Sequence, residues 1–216
     1  MTLTIRLEEK KDYSEIERLT RSAFWNLNEP GCNEHYLLHL LREATCFVPE
    51  LDFVACLEQR LVGNIVYTQA KIQKDDQREL DVLCFGPVSV HPDFQRQGIG
   101  RALIAHSQKV ARELGFQAIL IYGDPAYYVR LGFVPAEQYG IATADHHYAD
   151  ALQAFELQAG ALQNAQGRFI EDSIYDIDSK QAELFDLAFE AKAKQTGLPS
   201  QMRFLEIVKR RKPRAV

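Results

Sequence analysis

At 216 residues, 46% hydrophobic and 25% charged, the chain suits one soluble globular domain, or one domain with an appendage. Its net charge of −5 argues against a general grip on nucleic acid, and no apolar stretch approaches the ~20 residues that cross a bilayer. Residues 1–177 hold 16 basic and 25 acidic side chains, whereas residues 178–216 hold 9 and 5, so an acidic body ends in a basic tail.

The opening MTLTIRLEEKKDY carries charge where a secretory signal needs an apolar run. Cys32, Cys46, Cys56 and Cys84 form no CxxC pair and no zinc-like spacing, which points to reduced thiols in a cytoplasm and to no metal site. Within the acidic body, Phe94 to Arg112 contains Arg96, Arg101, Lys109 and Arg112 and no acid. An anionic ligand is expected there.

In chain order, residues 2–7 alternate like a strand. Asp12, with Glu15 three residues on, predicts a capped helix bearing Ile16, Leu19, Ala23 and Phe24 on one face. Residues 25–33 read as a polar loop, and Asn33 caps a second predicted helix bearing Leu37, Leu40, Leu41 and Ala44. Three strand-like runs follow, at 52–58, 61–72 and 79–90, separated by short polar turns as in an antiparallel meander. Ile99, Leu103, Ser107, Val110 and Leu114 recur at helical spacing, with Gly115 as the residue that stops the helix. Residues 118–123 read as a short buried strand. Asp124-Pro125 then caps a short helix, Gly132 ends it, and a strand starts at Phe133-Val134. Further on, 152–157 reads as a strand and 179–194 as an amphipathic helix on Leu184, Leu187, Ala188 and Ala191. Lys209–Arg214 reads as a solvated basic terminus. The order predicts a mixed α/β layer.

The chemistry concentrates between Val82 and Leu103. The run VLCFGPVSV is apolar apart from Ser89, yet Gly86-Pro87 sits in its middle, and proline cannot donate to a sheet ladder. Two readings stand: an edge strand, or a bulge that splays the strand from its neighbour and releases backbone groups for a ligand. After His91-Pro92, the run Gln95-Arg96-Gln97-Gly98-Ile99-Gly100-Arg101 leads into a helix. Glycines there let a ligand approach the backbone, and the first helical amides and the helix dipole favour an anion. With two arginines beside them, a phosphate or pyrophosphate is the natural guest. A Walker loop needs GK[ST], and a dinucleotide fold needs a third small residue where Leu103 stands; neither pattern is present.

The residues QRQGIG opening a helix, and Tyr128 four residues before Gly132-Phe133, resemble the two main motifs of the GNAT superfamily of acetyl-CoA-dependent N-acetyltransferases. The segments GPVSVHPDFQRQGIG and GDPAYYVRLGF also resemble a bacterial subgroup of predicted acetyltransferases known as YhbS. The motifs span residues 82–134, and the element order agrees from residue 2 to about 158.

This resemblance implies an acyl-CoA N-acyltransferase fold: α/β, with a mainly antiparallel central sheet flanked by helices. It implies a core over residues 1–158 and an extension over 159–216 packed on the same domain; the helix at 179–194 exceeds the superfamily's minimal plan and can be a lid, a homodimer contact or cladding. The cosubstrate would be acetyl-CoA and the acceptor a small-molecule or protein amine. Cofactor contacts would come from Val88, Ser89 and Val90 on the strand and from Gln95, Arg96, Gln97, Gly98, Ile99, Gly100 and Arg101 on the loop. Backbone groups of Val88 and Val90 would pair with pantetheine, and the amides of Gln97, Gly98, Gly100 and Arg101 would hold the pyrophosphate. Tyr128 would donate a hydrogen bond to the departing sulfur. An acyl-CoA sensor or interaction module of the same fold is the alternative.

A general base is not singled out; Glu34, Glu79 and Asp81 are candidates by segment alone. His35 and His39 stand one helical turn apart but lack a third metal ligand, which favours a structural role. His146-His147 lie in a loop that can line an acceptor pocket.

Overall fold

The structure is a computed structural model and describes residues 2–215. The elements run β1 (Leu3–Leu7), α1 (Tyr13–Phe24), α2 (Glu34–Leu41), β2 (Phe53–Leu57), β3 (Arg60–Lys74), β4 (Glu79–Val90), α3 (Ile99–Glu113) and β5 (Ala118–Tyr122). They continue with α4 (Pro125–Tyr128), β6 (Val134–Pro135), β7 (Ile141–Ala142), β8 (His147–Ala149), β9 (Leu152–Glu156) and β10 (Gly167–Ile170). The last are α5 (Ser179–Asp186), α6 (Pro199–Lys209) and β11 (Arg211–Pro213). The fold is mixed α/β with mostly antiparallel pairing, as the sequence pattern leads one to expect. No helix among the described residues is long and apolar enough to cross a membrane.

The chain divides into two compact units, and β3, β4, α3 and α6 contribute residues to both. The first unit comprises Met1–Tyr67, Gly86–Ser107 and Ser173–Met202. In it β1 pairs antiparallel with β2, and β2 with the first half of β3. Ile16 and Leu19 of α1, Leu38 and Leu41 of α2, and Val54, Cys56, Leu61 and Val66 of the strands form one buried cluster. Burying such side chains stabilises the fold by about 1.5–3 kcal/mol each relative to exposure.

The second unit comprises Thr68–Phe85, Gln108–Asp172 and Arg203–Val216. There β5 pairs antiparallel with β9, and β9 with β6; β10 pairs antiparallel with β3 and parallel with β7; and β11 pairs antiparallel with β8. β4 runs parallel to β5, with Leu83↔Ile119 as the one register pair among the described residues.

Several local expectations are corrected. Asp12 does not cap α1 through its side chain. Its carboxylate accepts from the Arg6 guanidinium and from the Glu9 amide, closing a single 3-10 turn ahead of the helix. In α2 the buried positions are His35, Leu38 and Leu41, with Leu37 half-buried and packed against the same cluster, so the inward face also takes in His35 and Leu38. The helix expected to run to Lys194 stops at Asp186, and Leu184 and Leu187 are exposed. Its inward contacts are made by Ala182 and Phe185, and Phe189 just past its end joins Phe185 against the His35 ring. Beyond the stop, Trp25 Nε1 and Asn26 Nδ2 both donate to the Ala193 carbonyl and tie this segment to the end of α1.

The basic tail is not a free terminus either. It forms β11, with Arg211 on Asp145, Lys212 on Glu137 and Arg214 on Asp75.

Candidate acyl-CoA site

In the first unit, the end of β4 changes character where the sequence places Gly86-Pro87. Val82–Phe85 are buried without a break, whereas from Gly86 burial alternates: Gly86, Val88 and Val90 are half-exposed, and Pro87 and Ser89 are buried. One edge of this segment is occupied by β3, since the His91 amide still donates to the Val62 carbonyl at 2.9 Å. Close approach there depends on Gly63, because a Cβ on it would stand 2.9 Å from the Ser89 carbonyl oxygen and 3.0 Å from Leu103 Cδ1. The Ser89 hydroxyl shares a buried hydrogen bond with Thr20 Oγ1 of α1 at 3.0 Å. Its side chain therefore faces the core, and only its backbone is available to a ligand. Val88 and Val90 keep a half-open face.

The loop follows directly. Pro92–Phe94 make one 3-10 turn, and the Gln95 side chain reaches back to donate to the Val90 carbonyl at 3.1 Å. Gln97 Nε2 donates to the Asp93 carbonyl at 3.3 Å. Arg96 adopts φ +60° and Gly98 φ +86°, two left-handed residues that reverse the chain into α3. The first helical bond is Ala102 N–H to the Gly98 carbonyl, so the amides of residues 98–101 precede the hydrogen-bonded ladder.

Apart from its chain neighbours, no heavy atom of the described residues lies within 4 Å of where a Gly98 Cβ would stand, and the loop from Gln95 to Gly98 is exposed. Neither Arg96 nor Arg101 joins an ion pair among the described residues. Ile99 is buried and packs toward Gly63, which makes its side chain a structural anchor for the loop. Donor amides, an open glycine and two uncompensated guanidinium groups fit a diphosphate.

Tyr128 belongs to the second unit. Asp124 caps α4 by accepting from the Ala126 amide at 2.9 Å, and Arg203 of α6 clasps the same carboxylate at 2.7 and 2.8 Å. That clasp holds the Asp124 carboxyl below the usual carboxylate range. The Tyr128 ring is buried against Phe85 and Phe133. A Cβ on Gly123 would stand 2.2 Å from its Cε2 atom, so glycine is required there for the ring to lie flat on the chain. Tyr127 is 42% exposed, in keeping with its place about 100° around the helix.

The candidate bases separate. Glu79 is exposed and paired with Lys71, and Asp81 is exposed. Glu34 opens α2, where its carboxylate accepts from Asn28 Nδ2 at 3.3 Å and from the Asn33 amide at 3.1 Å. Desolvation outweighs these bonds and pushes Glu34 up to about 7.

His35 is fully enclosed, with Nδ1 3.5 Å from Cys32 Sγ and Nε2 3.1 Å from Asp186; burial drives it down to about 4, so it is neutral and structural. Exposed His39 lies 3.0 Å from Glu17. His147 is tied to Asp145 within its own turn. Among the described residues no group of three or more His, Cys, Asp or Glu stands where it could hold a metal ion.

Comparison with known proteins bears on this arrangement. Residues 44–135 match the acetyltransferase (GNAT) domain family. The uncharacterized N-acetyltransferase YjhQ of Escherichia coli K12 is 30% identical over 133 residues, which cover 61% of this chain and 70% of that protein. This chain belongs to the GNAT acetyltransferase family. YhbS of the same organism, also an uncharacterized N-acetyltransferase, is 27% identical over 166 residues covering 76% of this chain and 93% of YhbS.

Among solved structures, the crystal structure of Escherichia coli YhbS in complex with CoA shares the fold at a TM-score of 0.72 and 24% identity, covering 81% of this chain and 92% of that one. A GNAT family acetyltransferase from Brucella melitensis in complex with acetyl-CoA aligns at a TM-score of 0.65 and 25% identity, covering 81% and 99%.

Proposed function

We propose that the protein transfers an acetyl group from acetyl-CoA to a primary amine by direct attack on the thioester. The observation that carries this reading is the loop at residues 95–101, where Gly98 leaves open space beside amides that precede the helical ladder. The CoA and acetyl-CoA complexes of the two structural neighbours support the same cosubstrate. In this reading Gln97, Gly98, Gly100 and Arg101 hold the pyrophosphate through their amides. Gln95 and Ile99 fix the loop, Arg96 adds charge, and the half-exposed backbone of Val88, Ser89 and Val90 receives pantetheine.

The attacking amine must be neutral, so a base has to take its proton. A carboxylate with a pKa near 7 suits that task, and of the three acids weighed, Glu34 has that environment. A backbone N–H at the β4 kink would stabilise the oxyanion. Tyr128 would donate a hydrogen bond to the leaving sulfur as charge develops on it. Residues 1–158 would form the catalytic core and 159–216 the extension, with the four thiols reduced in a cytoplasm. The chemistry calls for no metal.

The test is a library of small amines, amino acids, aminoglycosides and peptides incubated with acetyl-CoA. The reading predicts that one class releases thiol together with an acetylated product. CoA binding without release of thiol by any amine would instead favour a sensor.

A further inference from the structure

The pairing of β1 with β2 continues one residue past its last register pair, Leu7↔Phe53, because the Glu8 amide donates to the Asp52 carbonyl at 2.9 Å. Glu8 and Asp52 therefore stand opposite one another on the same face of the sheet, an arrangement that is unfavourable for two like charges. Both are out of water: the Glu8 side chain is 0% exposed and Asp52 is 4% exposed. Arg42, at the end of α2, grips both oxygens of Glu8 at 2.7 and 3.0 Å and also donates to Glu17 of α1 at 2.8 Å. The Asp52 carboxyl accepts from the Asn64 side-chain amide of β3 at 3.0 Å. Around the cluster stand Tyr13, whose ring lies on the Arg42 guanidinium, His39 beside Glu17, Asp12 paired with Arg6, and Glu43. Among the described residues, three carboxyl groups (Glu8, Glu17 and Asp52) thus face the one guanidinium of Arg42.

We propose that Glu8 and Asp52 hold one proton between them at neutral pH, forming a proton-linked brace that joins β1 and β2 to the end of α2. Two carboxylates that share a site out of water cannot both ionise cheaply, and a single guanidinium shared with Glu17 does not offset both. Because Arg42 donors occupy both oxygens of Glu8, the proton resides on Asp52, whose O–H donates to Glu8. Burial first, and for Glu8 the adjacent Asp52 carboxyl as well, push both groups above the usual carboxylate range. In the unfolded chain each ionises near its ordinary value of about 4. The folded protein therefore binds one proton more than the unfolded chain across neutral pH. The stability this proton contributes is full below the unfolded titration and is lost as pH rises toward the ionisation of the folded pair. Each pH unit in that window changes the unfolding equilibrium constant by about tenfold.

The experiment compares wild type with Asp52→Asn, which copies the protonated form: its amide oxygen still accepts from Asn64, and its N–H still donates to Glu8. Denaturant titrations of both proteins at pH 6, 7 and 8 give the two folding equilibrium constants. The ratio of variant to wild type should rise by about a hundredfold from pH 6 to pH 8, as one bound proton requires. A ratio that stays constant over this range overturns the proposal. If the variant fails to fold, carboxyl-carbon NMR of wild type labelled at aspartate and glutamate decides the matter. One aspartate or glutamate carboxyl should still be protonated at pH 8, and a spectrum in which every carboxyl is ionised at that pH overturns the shared proton.

Discussion

Two glycines share a backbone conformation and differ in their surroundings along the chain. Gly98 precedes α3 at φ +86° and Gly115 follows its end at φ +87°; among the described residues, neither has a heavy atom beyond its chain neighbours within 4 Å of a prospective Cβ. Alanine at either position therefore meets no protein atom and costs only left-handed strain, about 1 kcal/mol. For a chain of this size that is a Tm loss of roughly 3 °C, alike for both variants. Cofactor affinity should separate them. At Gly98 the added methyl enters the space proposed for the pyrophosphate and weakens at least one charge-assisted amide bond, a loss of about 2 kcal/mol, or roughly thirtyfold in Kd. Gly98→Glu adds charge repulsion and should abolish binding. Isothermal titration with CoA, with scanning fluorimetry for Tm, reads both quantities. Matching affinities for Gly98→Ala and Gly115→Ala would refute the placement of the pyrophosphate.

Tyr128→Phe should lower kcat by ~10²-fold, the range of positioned acid–base groups, and leave the KM for acetyl-CoA nearly unchanged, whereas Tyr127→Phe stays within a few-fold of wild type; equal small effects in steady-state kinetics would make Tyr128 a packing residue. Glu34 is raised to about 7, so it is protonated and inactive as a base at lower pH. The rate should therefore fall as pH drops through about 7, and a Glu34→Gln variant that keeps this limb in a pH–rate profile would exclude Glu34. Deleting residues 210–216 removes β11 together with the Arg211–Asp145 and Arg214–Asp75 pairs, for a loss of about 2 kcal/mol and several degrees of Tm by calorimetry; an unchanged Tm would show the tail to be energetically idle.

The strands at 53–57, 60–74 and 79–90 were legible because apolar runs end at turn residues whose chemistry is local. The loop was legible for a related reason: reversing the chain at φ +86° beside an anion leaves few residue types to choose from, and Gly98 declares itself. What escaped the sequence depends on partners far along the chain. That His35 of α2 also turns inward depends on Phe185 and Phe189, far along the chain, against whose rings it lies. The non-helical course of the chain after α5 is held at Ala193 by Trp25 and Asn26, some 170 positions from the carbonyl they grip. Arg211 and Arg214 look like solvent-facing charges until Asp145 and Asp75 are found beside them. Helix α6 did carry a local signal, Gly197-Leu198-Pro199 ahead of its first turn, that went unread.

The central claim is that acetyl-CoA is consumed by an amine and not merely bound. Mass spectrometry of a reaction containing acetyl-CoA and a responsive amine, run alongside the Gly98→Glu variant, tests it most directly. The account predicts one acetylated amine for each CoA thiol released by wild type, and neither product above background with the variant. Thiol release without acetylated amine, or equal yields from both proteins, would contradict it.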